Sequence, residues 1–182
     1  MSRKIFVLVL LLIMSLPSFA QNSKPEPADK ILKTAIAEAK SANKNVFVIF
    51  HASWCGWCKQ LEKAITSDEL KNIFNNNFVI THIDVQERGE KIEQLENPGG
   101  RDIMANFGGE KSGLPFYVFL DTRGNKITDS NVIPKNSNIG YPAAPEEIEA
   151  FVGIVKKSAK HLTEIDIAAI TKYFKDNAPK PH

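Results

Sequence analysis

Apolar residues recur along this chain in two rhythms. Between Ala28 and Ala42, Ile31, Leu32, Ala35, Ile36 and Ala39 fall at helical spacing and predict an amphipathic helix. After the polar turn Asn43-Lys44-Asn45, Val46 to Phe50 is an unbroken apolar run, the pattern of a strand buried on both faces. From Cys55 onward Leu61, Ala64 and Ile65 share one side of a second helix. Ser67-Asp68-Glu69-Leu70 reads as a new helix start, running to about Phe74 and broken by Asn75-Asn76-Asn77. Phe78 to Val85 is the next strand. Gln86 to Glu96 is charged and able to form a short helix, Asn97-Pro98-Gly99-Gly100 is a break, and Arg101 to Phe107 offers another helical turn before a loop from Gly108 to Gly113. Pro115 to Leu120 reads as a third strand, turned by Asp121 to Asn125 into a return strand over Lys126 to Ile133. After an irregular stretch, Pro145-Glu146-Glu147 opens a helix with proline and acids in its first turn, and Ile148, Phe151, Val152 and Val155 form its apolar face. A last helix is expected over 163–176. This order predicts an α/β fold around a central mixed sheet flanked by helices.

The N-terminus departs from both rhythms. Arg3 and Lys4 precede a continuous apolar run from Ile5 to Met14, and Leu16-Pro17 breaks it before Ser18-Phe19-Ala20. The run is short of the ~20 apolar residues a membrane span needs, and small residues stand where a signal peptidase reads. Residues 1–20 are therefore expected to be a signal peptide cut after Ala20, with an uncleaved anchor as the alternative. The expected location is periplasmic or secreted. Residues 21–27 read as a flexible lead-in and 28–178 as a single domain, in which 86–113 is an insertion or crossover. Removing 20 of 182 residues leaves 162, enough for one proper core, and takes away two basic residues and no acidic ones. The 23 basic and 21 acidic residues then become 21 and 21, which gives no footprint for nucleic acid or a membrane surface. The chain is expected to be a monomer.

Only two cysteines occur, and they stand three apart in Trp54-Cys55-Gly56-Trp57-Cys58-Lys59, directly after the Val46–Phe50 run. In an exported chain a disulfide persists, but one closing so small a loop restrains the unfolded chain little and is a poor staple. Two such thiols at the end of a strand suit the passing of a disulfide on and off. Metal binding is the rival. A closed zinc site needs about four ligands, and Cys55, Cys58, His51 and His82 would have to converge, with His161 and His182 far away in weak contexts. Covalent haem attachment needs histidine after the second cysteine, where Lys59 stands. No metal or bound cofactor is expected.

Three segments in order resemble the thioredoxin-like superfamily: Phe50-His51-Ala52-Ser53-Trp54-Cys55-Gly56-Trp57-Cys58-Lys59, then Phe78 to Asp84, then Gly113-Leu114-Pro115 before Phe116 to Leu120. The resemblance spans roughly Ala28 to Lys157. It is nearest in flavour to exported proteins related to the C-terminal domain of the periplasmic disulfide-reducing membrane protein. It implies a thioredoxin-like fold and a thiol–disulfide oxidoreductase. Cys55, at a helix N-terminus that stabilises its thiolate, attacks a protein disulfide; Cys58, one turn in and more buried, resolves the mixed disulfide. It further implies that Pro115 is cis, near Cys55, and with Leu114 shapes the substrate groove. Trp54 is expected to pack and Trp57 to stand exposed, both as aromatic surface for substrate peptides. The partners implied are protein thiols and disulfides, and a redox partner, membrane-bound in one reading, that supplies or removes electrons. Lys59 and the resemblance favour the reductant direction; Trp57 between the cysteines favours the oxidant or isomerase direction. A thioredoxin fold kept for binding, with an inert or regulatory disulfide, is the competing class.

The chain departs from this family in its proton-handling residues. The family's buried acid six residues before the first cysteine is Ile49 here, and its lysine partner on the next strand is expected to be Ile80. Two substitutes stand out. Glu62 lies one helical turn beyond Cys58, and a plain solvated residue is its alternative. His51 is expected to hydrogen-bond Asp84 and hold a cationic ring near Cys55, with a satisfied structural histidine as its alternative. His82 shares the strand face of Ile80 and Asp84. The 86–113 stretch, longer than the fold requires, suggests substrate recognition or a solvated insertion.

Overall fold

The computed structural model describes residues 24–132 and 137–179. The expected signal peptide, the first part of the lead-in, Ile133 at the end of the expected return strand, and His182 lie outside the described residues. Along the chain run α1 (Ala28–Ala42), β1 (Asn45–His51), α2 (Gly56–Ile65), α3 (Lys71–Asn77), β2 (Phe78–Asp84), α4 (Lys91–Leu95), α5 (Gly100–Asn106), β3 (Phe116–Leu120), β4 (Lys126–Asp129), α6 (Pro145–Ser158) and α7 (Glu164–Asp176). The four strands form one sheet in the order β2-β1-β3-β4. β1 runs parallel to β2, and β3 is antiparallel to both β1 and β4, which makes the sheet mixed as the pattern predicts. Among the described residues no helix is long and apolar enough to cross a membrane.

β1 is buried on both faces, and its alternation divides the core. Phe47 and Ile49 join Tyr117 and Phe119 of β3 under Leu61 and Ile65 of α2, Phe74 of α3, Phe151 of α6 and Phe174 of α7. Val46, Val48 and Phe50 join Phe116, Val118 and Leu120 under Ala35 and Ala39 of α1 and Met104 of α5. One layer is ring against ring, with Phe47 stacked on Phe119 at 4.4 Å between centroids. In the other layer small helical alanines let α1 lie close to the strands. Each fully buried Phe or Ile removes enough apolar surface from water to stabilise the fold by roughly 1.5–3 kcal/mol.

The helix ends follow local chemistry. Thr163 and Asp166 exchange hydrogen bonds at the start of α7. Glu147 accepts the backbone N–H of both Ala143 and Ala144 where α6 begins at Pro145. Two expectations fail for tertiary reasons. The asparagine run at 75–77 continues α3, because buried Asn77 donates to Ile73 O and accepts the backbone N–H of His161 from the α6–α7 connection. The return strand stops at Asp129, whose Oδ1 accepts the N–H of Asn131 and bends the chain away.

Candidate active site

Cys55 sits where β1 has ended and α2 begins. It is the N-cap of α2, with extended backbone, and its Sγ accepts the N–H of Cys58 at 3.1 Å. The place usually falls to an oxygen-bearing side chain; a sulfur there meets a free N–H and the positive end of the helix dipole, both of which favour its thiolate. Cys55 and Cys58 are joined as a disulfide, S–S 2.01 Å. Both are buried, at 3% and 6% exposure, so the expected contrast between an open and a hidden sulfur is absent in the oxidised form. Ala52 and Leu114 pack with the pair and close it over.

Leu114 and Pro115 arrive from the other side of the chain. Their peptide is cis and leads into β3. Asn138 fixes this corner by donating from Nδ2 to Gly113 O (2.8 Å) and Pro115 O (2.9 Å). A groove of about 790 Å³ runs beside it, lined among others by Trp57, Leu114, Asn138, Tyr141 and Glu147. Trp57 is half exposed and stacks on Tyr141, 5.8 Å between centroids and 19° between planes. Trp54, expected to pack, is also exposed at 41%. Its Nε1 donates to Gln86 O, and Arg88 lies 3.9 Å over its ring.

That contact belongs to the 86–113 stretch, which braces the loop before Cys55. Glu87, buried at 3%, accepts the backbone N–H and the hydroxyl of Ser53. Its own N–H is held by Glu96, which Arg101 grips with two hydrogen bonds and keeps below the usual carboxylate pKa. Nothing in the local pattern singles out Glu87, which follows β2 as one charged residue among many.

A second cavity, about 710 Å³, has Cys58 in its wall. Its walls include Ile49, Cys58, Glu62 and His82, together with His51 and Asp84. The residue directly across from Ile49 on β2 is His82; Ile80 faces Phe47 instead. Glu62 and His82, from different elements, meet at 2.7 Å (Oε2 to Nε2), and this hydrogen bond holds the Glu62 carboxyl below its ordinary pKa. His51 lies edge-on to His82, 5.2 Å between ring centroids. Its Nε2 is 3.4 Å from Asp84 but not aligned as a hydrogen bond. Burial pushes the pKa of His51 down and that of Asp84 up, each only partly offset by the other's charge. The expected cationic ring at His51 is thus disfavoured. Among the described residues no group of three or more His, Cys, Asp or Glu side chains is arranged to hold a metal ion.

Comparison with known proteins matches the sequence to a family. The thioredoxin-like family profile covers residues 29–122, slightly more than half of the chain. The chain belongs to the thioredoxin-like family. The thiol:disulfide interchange protein DsbD of Vibrio vulnificus is 29% identical to it over 102 residues, 56% of this chain and 15% of that protein. Protein disulfide-isomerase of Gallus gallus is 30% identical over 125 residues, 59% of this chain and 24% of that protein. The crystal structure of a disulphide isomerase from Xylella fastidiosa Temecula1 superposes with a TM-score of 0.47 at 21% identity, covering 65% of this chain and 79% of that one. The chain thus spans under a third of the length of these two curated relatives. In this thioredoxin-like chain the cysteine pair, the helix start and the cis Leu114–Pro115 peptide are brought together; Glu62 and His51 line the cavity at Cys58, and His82 joins them.

Proposed function

We propose that this protein is an extracytoplasmic thiol–disulfide oxidoreductase that exchanges disulfides with protein substrates and works as a reductant. The observation that carries the reading is the Cys55–Cys58 pair at the N-terminus of α2, with Leu114 packed against it beside an aromatic-lined groove. The Cys55 thiolate attacks a substrate disulfide, forming a Cys55–substrate bond and releasing one substrate thiolate. Cys58 then attacks Cys55 sulfur, restoring the internal disulfide and releasing the second. Two electrons pass to the substrate, and a partner dithiol restores the reduced pair. Trp57 and Tyr141 offer stacked surface to an extended segment of the substrate.

The reductant direction is supported by Lys59 after the second cysteine and by the resemblance to the disulfide-reducing proteins. Similarity to DsbD, named for thiol:disulfide interchange, supports exchange with protein partners. The export reading rests on the N-terminal pattern of Arg3, Lys4 and the Ile5–Met14 run.

The test is a reduction potential with an insulin-disulfide assay. A potential near about −270 mV with insulin reduction supports the reductant; one near about −120 mV with dithiol-peptide oxidation overturns the direction. If neither reaction occurs and Cys58→Ser traps no mixed disulfides in cell envelopes, the fold serves binding instead.

A further inference from the structure

One wall of the groove beside Cys55 comes from residues 138–141, beyond the stretch that matches the family, which ends at residue 122. Separate parts of the fold fix this wall. Asn138 donates to the Gly113 and Pro115 carbonyls. Buried Ile139 donates its N–H to Ser130 O at 2.9 Å. Gly140 turns the chain with φ at +63°, a conformation that favours glycine. Tyr141 then rests on α7: its ring lies 5.5 Å from that of Phe174, and its Oη donates to Asn177 O at 3.4 Å. Phe174 packs in turn on Phe151 of α6, 4.9 Å between centroids. The two rings lining the groove therefore differ in freedom. Tyr141 is held from beneath and only 6% exposed, whereas Trp57, stacked on it, keeps 51% of its surface open. An indole resting on a fixed ring has little freedom left to lose when a substrate comes against it. The charges in the lining do not favour a basic segment. Glu147 is occupied by the N–H groups of Ala143 and Ala144, and Lys111 is itself a cation.

We propose that Tyr141 is a specificity-determining residue, which holds Trp57 so that the groove selects substrate disulfides flanked by an aromatic side chain. This rests on the oxidoreductase reading and names its substrate class. Aromatic rings favour offset-stacked or edge-on neighbours at about 4.5–7 Å between centroids, and such a pair contributes beyond the area it buries. A substrate ring adds a third member to the Trp57–Tyr141 stack and brings the disulfide beside it to Cys55. The exchange itself is unaltered: the Cys55 thiolate bonds one substrate sulfur, the other leaves as a thiolate, and Cys58 then displaces the first. The selection is made by α7 and the 138–141 wall rather than by the cysteine motif alone, because Tyr141 is fixed from that side.

The experiment uses the reduced full-length protein and disulfide-linked dimers of the peptides Gly-Phe-Cys-Phe-Gly, Gly-Leu-Cys-Leu-Gly and Gly-Ala-Cys-Ala-Gly. Released peptide thiol is followed by acid quenching and chromatography. Each rate constant is divided by that of dithiothreitol with the same dimer, which removes intrinsic differences between the peptides. The phenylalanine dimer should react about tenfold faster than the alanine dimer, with the leucine dimer nearer to alanine. In Tyr141→Ala the phenylalanine preference should fall to about threefold or less, and in Tyr141→Phe, which keeps the ring, it should stay at about tenfold. Equal rates for the three dimers with the unmutated protein overturn the proposal. So does a leucine dimer as fast as the phenylalanine one, because bulk rather than a flat ring would then be read. A Tyr141→Ala protein with the full preference overturns it too, because Trp57 would then act alone. If Tyr141→Ala does not fold, the unmutated oxidised protein decides: Gly-Phe-Ser-Phe-Gly should shift the ring resonances of both Trp57 and Tyr141 and Gly-Ala-Ser-Ala-Gly should not, and unmoved rings overturn the proposal. An unmutated protein that releases thiol from none of the dimers overturns the oxidoreductase reading, and the Tyr141 role with it.

Discussion

The groove beside Cys55 and the cavity beside Cys58 are built from different materials. The groove is shaped by backbone and rings: the Gly113 and Pro115 carbonyls held by Asn138, and Trp57 stacked on Tyr141. The cavity is shaped by ionisable side chains, Glu62 with His82 and His51 near Asp84, and its loop is held by the buried carboxylate of Glu87. The contrast separates two tasks. A surface of rings and carbonyls recognises shape and is indifferent to pH. A cluster of ionisable side chains is suited to handling protons and is indifferent to which peptide is bound.

The largest test of this division compares the two braces. Glu87→Ala leaves the Ser53 N–H without its acceptor and should lower stability by about 2–3 kcal/mol, read as a shift in urea midpoint at constant slope. Asn138→Ala removes two neutral hydrogen bonds at a half-buried corner and should lower it by about 1 kcal/mol. Equal losses would break the contrast. Next, Trp57→Ala should raise the KM for a protein disulfide about tenfold, equivalent to ~1.4 kcal/mol, with an unchanged pH profile. A moved profile would show that groove and cavity are coupled.

The smallest effect concerns His51. Burial holds its folded pKa below the ordinary 6.5, so as pH falls through that value the unfolded chain takes up the proton first. Stability should therefore decline from about pH 6.5 downward until the folded ring is also protonated. Asp84, its pKa raised by burial, acts in the opposite sense as its carboxyl protonates. Melting temperatures at pH 7.5 and 5.5 should differ less in His51→Gln than in the wild type. An equal or larger difference would remove His51 as the source.

Where side chains repeat with a single period, the sequence is legible. The alternation of Phe47 and Ile49 with Val46, Val48 and Phe50 is enough to place them in β1, and the position of the cysteine pair follows from that strand. Residues whose role depends on a distant partner cannot be read this way. Asn77 has the local pattern of a helix breaker, and the His161 N–H that holds it in α3 lies 84 residues on. Period two places His82 on the right face of β2, but its contact with Glu62 depends on how α2 lies over the sheet. Position along the strand pairs Ile80 with Ile49, whereas register sets His82 opposite Ile49. Glu87 carries no local signal at all.

The chain has two tryptophans, and both border the cysteine pair. Light absorbed at the red edge of the protein's ultraviolet band is therefore taken up almost wholly at this one place. A disulfide is an efficient quencher of indole emission by electron transfer, and a dithiol is a poorer one. The unlabelled protein thus carries its own optical gauge of whether Cys55 and Cys58 are joined. Trp57, stacked on Tyr141 in the groove, adds a second sensitivity, to whatever comes to lie against it.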